Sequence, residues 1–291
     1  MQNDKNCAQI MIRKASGQME PFKVDKLKAS LRNAGASEDV ITEIVEDISA
    51  WVNDGMNTKM IYARAYSIFK RLSKTGASHY KLKNAIIELG PTGHPFEVFI
   101  GEIFKQRGYK VKTAQVIQGA SVSHEIVDVL ASLGKEQILA ECKFSVKQGN
   151  SVSVQVPLYV HSRVEDIVDK LREDERFKDH TFVTWIVTNS RFTPDSIQYS
   201  SCKGIKLMAW DHPHSQGLKD IIEREKVFPI TLLNSLTKAE KSTLLSYGIV
   251  TCRQLSQAEE SLNKLDLNPR KQSSLRRELE ALLKSKPLAA R

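Results

Sequence analysis

Three side chains carry the chemistry of this sequence: Asp128, Glu141 and Lys143. Segment 137–144 alternates as a strand, so Ile138, Ala140, Cys142 and Phe144 point one way while Leu139, Glu141 and Lys143 point the other. A hairpin turning about Gly134-Lys135 would set Asp128 across from Ala140 or Glu141, within cross-strand reach of that carboxylate. Two carboxylates on one edge of an apolar sheet repel each other unless an ammonium or a divalent cation compensates them. Mg²⁺ (or Mn²⁺) suits such oxygen donors, and Asp128, Glu141 and the Cys142 main-chain carbonyl form an expected first shell. The cation would polarise a phosphate and activate a water, with Lys143 orienting that water or neutralising charge. A lone Glu-x-Lys on a strand is ordinarily just a solvated pair, so the surrounding elements have to carry the case.

Those elements fall in a definite order. Gly90-Pro91-Thr92-Gly93 punctuates the chain, and a helix over 94–107 then gathers Phe96, Phe99, Ile100, Ile103 and Phe104 on one face. Strands are predicted over 109–116, 125–131 and 137–144, a helix over 156–172 with Pro157 in its first turn, and a buried strand over 181–188. A short helix opened by Thr193-Pro194 and a last strand over 205–210 complete an α/β (α+β) core. Ahead of it, a short strand over 9–13 leads into amphipathic helices over 24–34, stopped by Gly35, over 38–53, and from Thr58, expected as a cap. Beyond about 228 short helices take over, and from Ser261 onward eight Lys/Arg stand against three Asp/Glu. The expected division is 1–90, 91–225 and 226–291.

The central segment resembles a known family. His94-Pro-Phe-Glu-Val-Phe-Ile-Gly-Glu-Ile-Phe-Lys-Gln-Arg-Gly-Tyr, then His124-Glu-Ile-Val-Asp-Val, then Leu139-Ala-Glu-Cys-Lys-Phe look like the Mrr-like branch of the PD-(D/E)xK restriction-endonuclease-like fold. That resemblance implies a mixed sheet flanked by helices and a metal-dependent DNA endonuclease, with Asp128 and Glu141 as metal ligands, Lys143 as catalytic lysine and Glu97 as supporting acid. Gln155-Val-Pro-Leu-Tyr159 fits a Q-x-x-x-Y helix motif of some relatives, which adds Gln155 to the expected catalytic set, an ordinary helix face being the alternative. The sequence departs at one place: Val127 stands before Asp128 where the family pattern runs His-Glu-Ile-Asp-Val. Either a bulge restores the Asp to the site or the strand register has shifted.

The flanks extend the reading. Ile12-Arg-Lys-Ala-Ser-Gly17 and Glu20-Pro-Phe-Lys-Val-Asp-Lys-Leu27 resemble an ATP-cone, which implies ATP or dATP as a regulatory ligand with Arg13, Lys14 and Lys26 facing its phosphates. No Walker lysine motif occurs, so a nucleotide here would regulate rather than fuel. The tail loosely resembles helix–hairpin–helix modules that touch DNA phosphate through main-chain amides, its leucines suiting helix packing or a homo-oligomer contact equally well.

A formal charge of +9, from 43 Lys+Arg against 34 Asp+Glu in 291 residues, suits a polyanionic partner such as DNA. Cys7, Cys142, Cys202 and Cys252 form no C-x-x-C pair, which argues against a zinc ribbon and for a reducing cytoplasm. No signal core and no membrane span is visible. The leading expectation is a cytoplasmic endonuclease of a restriction or defence system under nucleotide control. The alternative, from a different class, is a nucleotide-responsive DNA-binding regulator that keeps the nuclease scaffold without its chemistry.

Overall fold

A computed structural model describes residues 10–14, 17–33, 36–72, 81–123, 125–147, 149–257, 265 and 267–284. Cys7, Gln9, Ala15, Ser16, Ala34, Gly35, His124 and 285–291, all used in the sequence reading, lie outside them. The chain forms two compact units, Met1–Leu82 and Lys83–Arg291.

Among the described residues the first unit is a small hairpin followed by three helices. Strands β1 (Met11–Arg13) and β2 (Met19–Pro21) pair antiparallel. Helices α1 (Val24–Asn33), α2 (Glu38–Trp51) and α3 (Thr58–Leu72) follow. Each helix buries one stripe: Leu27 and Leu31 from α1, Ile41, Ile44 and Ile48 from α2, Ile61, Ala65 and Phe69 from α3. These spacings of three and four residues put the apolar side chains on one face of each helix, and the shared core they form is what stabilises elements this short. The cap of α3 is Asn57 rather than Thr58: Asn57 Oδ1 accepts the Met60 N–H at 2.8 Å. Thr58 is already the first helical residue, and a capping oxygen must come from the residue before it.

Helix α4 (Leu82–Ile87) begins at the last residue of the first unit and runs into the second, where α5 (His94–Gln106) follows. Strands β3 (Lys110–Ile117), β4 (Glu125–Leu133) and β5 (Glu136–Lys143) form an antiparallel meander. Gly134, at φ +56°, makes the two-residue turn between β4 and β5 that a right-twisted hairpin requires. A two-residue strand β6 (Ser151–Val152) precedes helix α6 (Gln155–Arg172), which crosses over to β7 (Thr181–Thr188). After β8 (Arg191–Phe192), helix α7 (Pro194–Cys202) leads to β9 (Lys206–Met208). The five-stranded sheet is mixed, in the order β3-β4-β5-β7-β9, with β5, β7 and β9 parallel. Helix α5 packs on β3 and β4 and also meets α8 (Leu218–Glu225), while α6 and α7 lie together against β7 and β9. This is the mixed α/β architecture expected from the sequence.

Two short elements were outside the expectation. The β6–β8 pair is parallel and only two residues long, below what periodicity can register. Strand β9 ends at Met208 instead of 210, because Ala209 turns to pair with His212. Among the described residues the C-terminal part holds helices α9 (Lys238–Ser246), α10 (Cys252–Gln257) and α11 (Pro269–Lys284). They belong to the same compact unit as the sheet. Thr231 Oγ1 donates to Ala85 O of α4 at 2.5 Å, and Lys241 Nζ from α9 donates to Thr231 O at 2.7 Å.

A carboxylate cluster at the split between two strands

The ladder between β4 and β5 runs from Leu133↔Glu136 to Val129↔Ala140 and stops there. Continued by one step, that register sets Asp128 opposite Glu141 on one face, and Asp128 takes a hydrogen bond the ladder has given up. Its Oδ2 accepts the Cys142 N–H at 2.7 Å. In an antiparallel strand the N–H and C=O of one residue point to the same side, so the Cys142 carbonyl faces the same gap.

The extra Val127 is absorbed by a break in alternation, not by a register slip. Pairing of β3 with β4 keeps one register on both sides of the site, Thr113↔Val129 and Gln115↔Val127. Between them Ala114 takes φ +50°, a left-handed conformation unusual for a residue with a Cβ. Val127 and Leu130, three residues apart, both pack in the cluster under α6, so the side chains of β4 change faces near Asp128. Val127 is thereby buried and Asp128 is left on the side of Glu141.

Glu141 is buried, with 6% of its side chain exposed, and both its oxygens are engaged. Lys143 Nζ donates to Oε1 at 2.5 Å, and Arg163 Nη2 from α6 donates to Oε2. Arg163 also donates from Nη1 to the Tyr159 hydroxyl at 2.8 Å and lies over that ring, 4.9 Å from its centroid. Burial raises the Asp128 carboxyl to about 6, helped by Glu141 and Glu97 and opposed by the Cys142 N–H and Lys143. The Cys142 thiol is pushed well up by burial and by the same three carboxylates, so it is an inert neighbour and not a thiolate ligand.

Glu97 stands in the first turn of α5, half-buried, with His94 Nδ1 3.4 Å from its Oε2. The contact of Phe96 with Phe144, ring centroids 5.4 Å apart, fixes that turn beside the end of β5. The structure therefore gathers Asp128, Glu141, Lys143 and Glu97. Gln155, at the start of α6, is exposed. Arg163 was missed from the sequence although a signal existed: Gln155, Tyr159 and Arg163 are four apart and form one stripe on α6.

The donor types suit a hard divalent cation: the Asp128 and Glu141 carboxylates and the Cys142 carbonyl lie together where the β4–β5 ladder ends, and burial, then Glu141 and Glu97, raise the Asp128 carboxyl there. Among the described residues no three His, Cys, Asp or Glu side chains already stand as a metal-holding group. Of the residues proposed for nucleotide phosphates in the first unit, Lys14 and Lys26 converge on one carboxylate, at 2.9 and 3.0 Å from Glu20 Oε2, and together they lower its pKa. Arg13 is exposed at the end of β1.

Known proteins share both parts of the second unit. Residues 90–212 match the family model described as restriction endonuclease, and residues 228–283 match the one described as AF1548-like, C-terminal. An uncharacterized protein of Archaeoglobus fulgidus is 30% identical over 177 residues, 59% of this chain and 92% of that protein. The crystal structure of a protein of unknown function, AF1548, aligns with TM-score 0.53 and 26% identity over 66% of this chain and 98% of its own. No helix among the described residues is long and apolar enough to cross a membrane.

Proposed function

We propose, for a chain that belongs to the family of this Archaeoglobus fulgidus protein and carries a restriction endonuclease domain, that it hydrolyses DNA phosphodiester bonds at the Asp128, Glu141 and Lys143 cluster. The observation behind this reading is the Asp128 carboxylate seated on the Cys142 N–H, near enough to Glu141 to be raised by its charge as well as by burial. Mg²⁺ or Mn²⁺, held by Asp128, Glu141 and the Cys142 carbonyl, would supply Lewis acidity at the phosphate and an activated water. Lys143 orients the attacking water and neutralises charge as it develops on the phosphorus oxygens. Glu97, on the far side of the cluster, accepts hydrogen bonds from that water network. Gln155 and Tyr159, on the same helical stripe, meet the DNA backbone. The C-terminal helices add sequence-independent phosphate contacts, and the first unit, through Arg13, Lys14 and Lys26, responds to ATP or dATP.

The deciding experiment is nicking of supercoiled plasmid in Mg²⁺ or Mn²⁺. Wild type cuts, while Glu141→Ala and Lys143→Ala fall by at least about a hundredfold; equal activity in all three removes the claim. One observation favours the second reading, a nucleotide-responsive DNA-binding regulator without chemistry: both Glu141 oxygens are taken by cationic side chains. That reading expects salt-sensitive DNA binding modulated by ATP or dATP and no strand breaks with either metal.

A further inference from the structure

We propose that Arg163 is a positioning residue that holds the Glu141 oxygen a cation would need and moves to a DNA phosphate when the cation enters; this rests on the nuclease reading above. Among the arginine's contacts two matter, an inner and an outer berth, and it holds both at once. One is Glu141 Oε2, deep in the cluster. The other is Tyr159, whose hydroxyl takes Nη1 at 2.8 Å and whose ring lies under the guanidinium, while the tyrosine itself is 54% exposed.

Lys143 is already on Glu141 Oε1, so the carboxylate faces two positive charges before any metal arrives. A divalent cation bound to Glu141 would meet both of them at close range, and one has to withdraw. Lys143 is a neighbour on the same strand and, among the described residues, has no second partner of the kind Tyr159 offers. Arg163 rides on a helix with its guanidinium stacked over an exposed ring, so a change of its outer torsions carries it along Tyr159 toward solvent. There its planar fork can take phosphate oxygens in pairs. The guanidinium thus offsets the Glu141 charge in the resting protein, opposes cation binding without DNA, and lets the two ligands favour each other: phosphate draws Arg163 off Glu141, and the vacated oxygen goes to the metal.

The test measures Mn²⁺ binding by calorimetry on the full chain without DNA, and Ca²⁺-supported binding of a short duplex. Arg163→Gln removes the competing charge and is expected to bind Mn²⁺ about tenfold to a hundredfold more tightly than wild type, as expected for one unit charge a few ångströms from the ion. The same variant binds duplex more weakly, whereas Arg163→Lys keeps Mn²⁺ affinity near that of wild type. Tyr159→Phe, which deletes the hydroxyl of the outer berth and leaves the ring, weakens Mn²⁺ severalfold and keeps the proposal testable if Arg163→Gln does not fold. Equal or weaker Mn²⁺ binding by Arg163→Gln, or unchanged binding by Tyr159→Phe, overturns the inference and leaves the nuclease reading standing. Mn²⁺ binding that Glu141→Gln does not diminish overturns both.

Discussion

Replacing Asp128 by Asn should make the metal-free protein more stable while abolishing cleavage. Asn keeps the hydrogen bond, since its Oδ1 can accept the Cys142 N–H that Asp128 Oδ2 now takes at 2.7 Å, and it removes a charge set against Glu141 and Glu97. The magnitude follows from the carboxyl's rise from 3.8 to about 6. Because the folded value is the higher one, the folded state holds a proton the unfolded chain has released. The favourable contribution of this group is therefore fully present below the unfolded value and is lost as the pH rises through the folded one. A shift of this size corresponds to about 2 to 3 kcal/mol at about pH 8, and to under about 1 kcal/mol at about pH 4. For a unit of this size the gain at about pH 8 is an increase in Tm of about 5 to 10 °C. The assay is thermal unfolding in EDTA at both pH values, wild type beside Asp128→Asn. A variant no more stable than wild type at the higher pH, or a gap of equal size at both, would refute the electrostatic account of the cluster.

Two further outcomes probe the surroundings of the site. At Gly119→Ala the new Cβ would collide with Asp166 Oδ2 and lie 3.0 Å from Val122 O, so the loop that Asp166 holds through Ser121 and Val122 must move. Faster backbone hydrogen exchange at Ser121 and Val122 is expected, together with about 1 to 3 kcal/mol of lost stability; unchanged exchange would show that the loop is not clamped. Thr231→Val keeps the shape and leaves the Ala85 carbonyl without its buried donor. A loss of about 1 to 3 kcal/mol in denaturant unfolding is expected, and a variant within error of wild type would mean that the bond contributes nothing.

How much of this was legible in the sequence depends on the range of the interaction. Strict alternation in β5 put Glu141 and Lys143 on one face, and Lys143 Nζ does donate to Glu141. The run Thr181–Thr188 was visible as a strand to the residue, because an unbroken apolar and β-branched stretch between turn signals has few other uses. Asp128 was ambiguous for a physical reason. The break in alternation at Asp128 lies opposite a left-handed Ala114 in the neighbouring strand, and alanine carries no compositional signal for that conformation, as glycine would. Arg163 is 22 residues from Glu141 and reaches it only through the packing of α6 on the sheet, which periodicity within a helix cannot express. The Gly90-Pro91 punctuation places 83–89 at the end of the first expected domain, whereas the segment belongs to the second compact unit, with a contact to residue 231 that no local pattern announces.

That last contact bears on how such a chain can be inherited. Lys83 stacks its ammonium 5.6 Å from the Trp210 ring at the close of the sheet, and two residues later the Ala85 carbonyl is held by Thr231, at the start of the C-terminal helices. The stretch before the sheet and the stretch after it are thus laced to each other and to the core between them. A recombination breakpoint at Gly90 would sever both of those contacts, and one near residue 226 would sever the bond from Thr231. The heritable cassette therefore begins ahead of Lys83 and continues through α11, and gene fusion can exchange what precedes it far more freely than anything inside it.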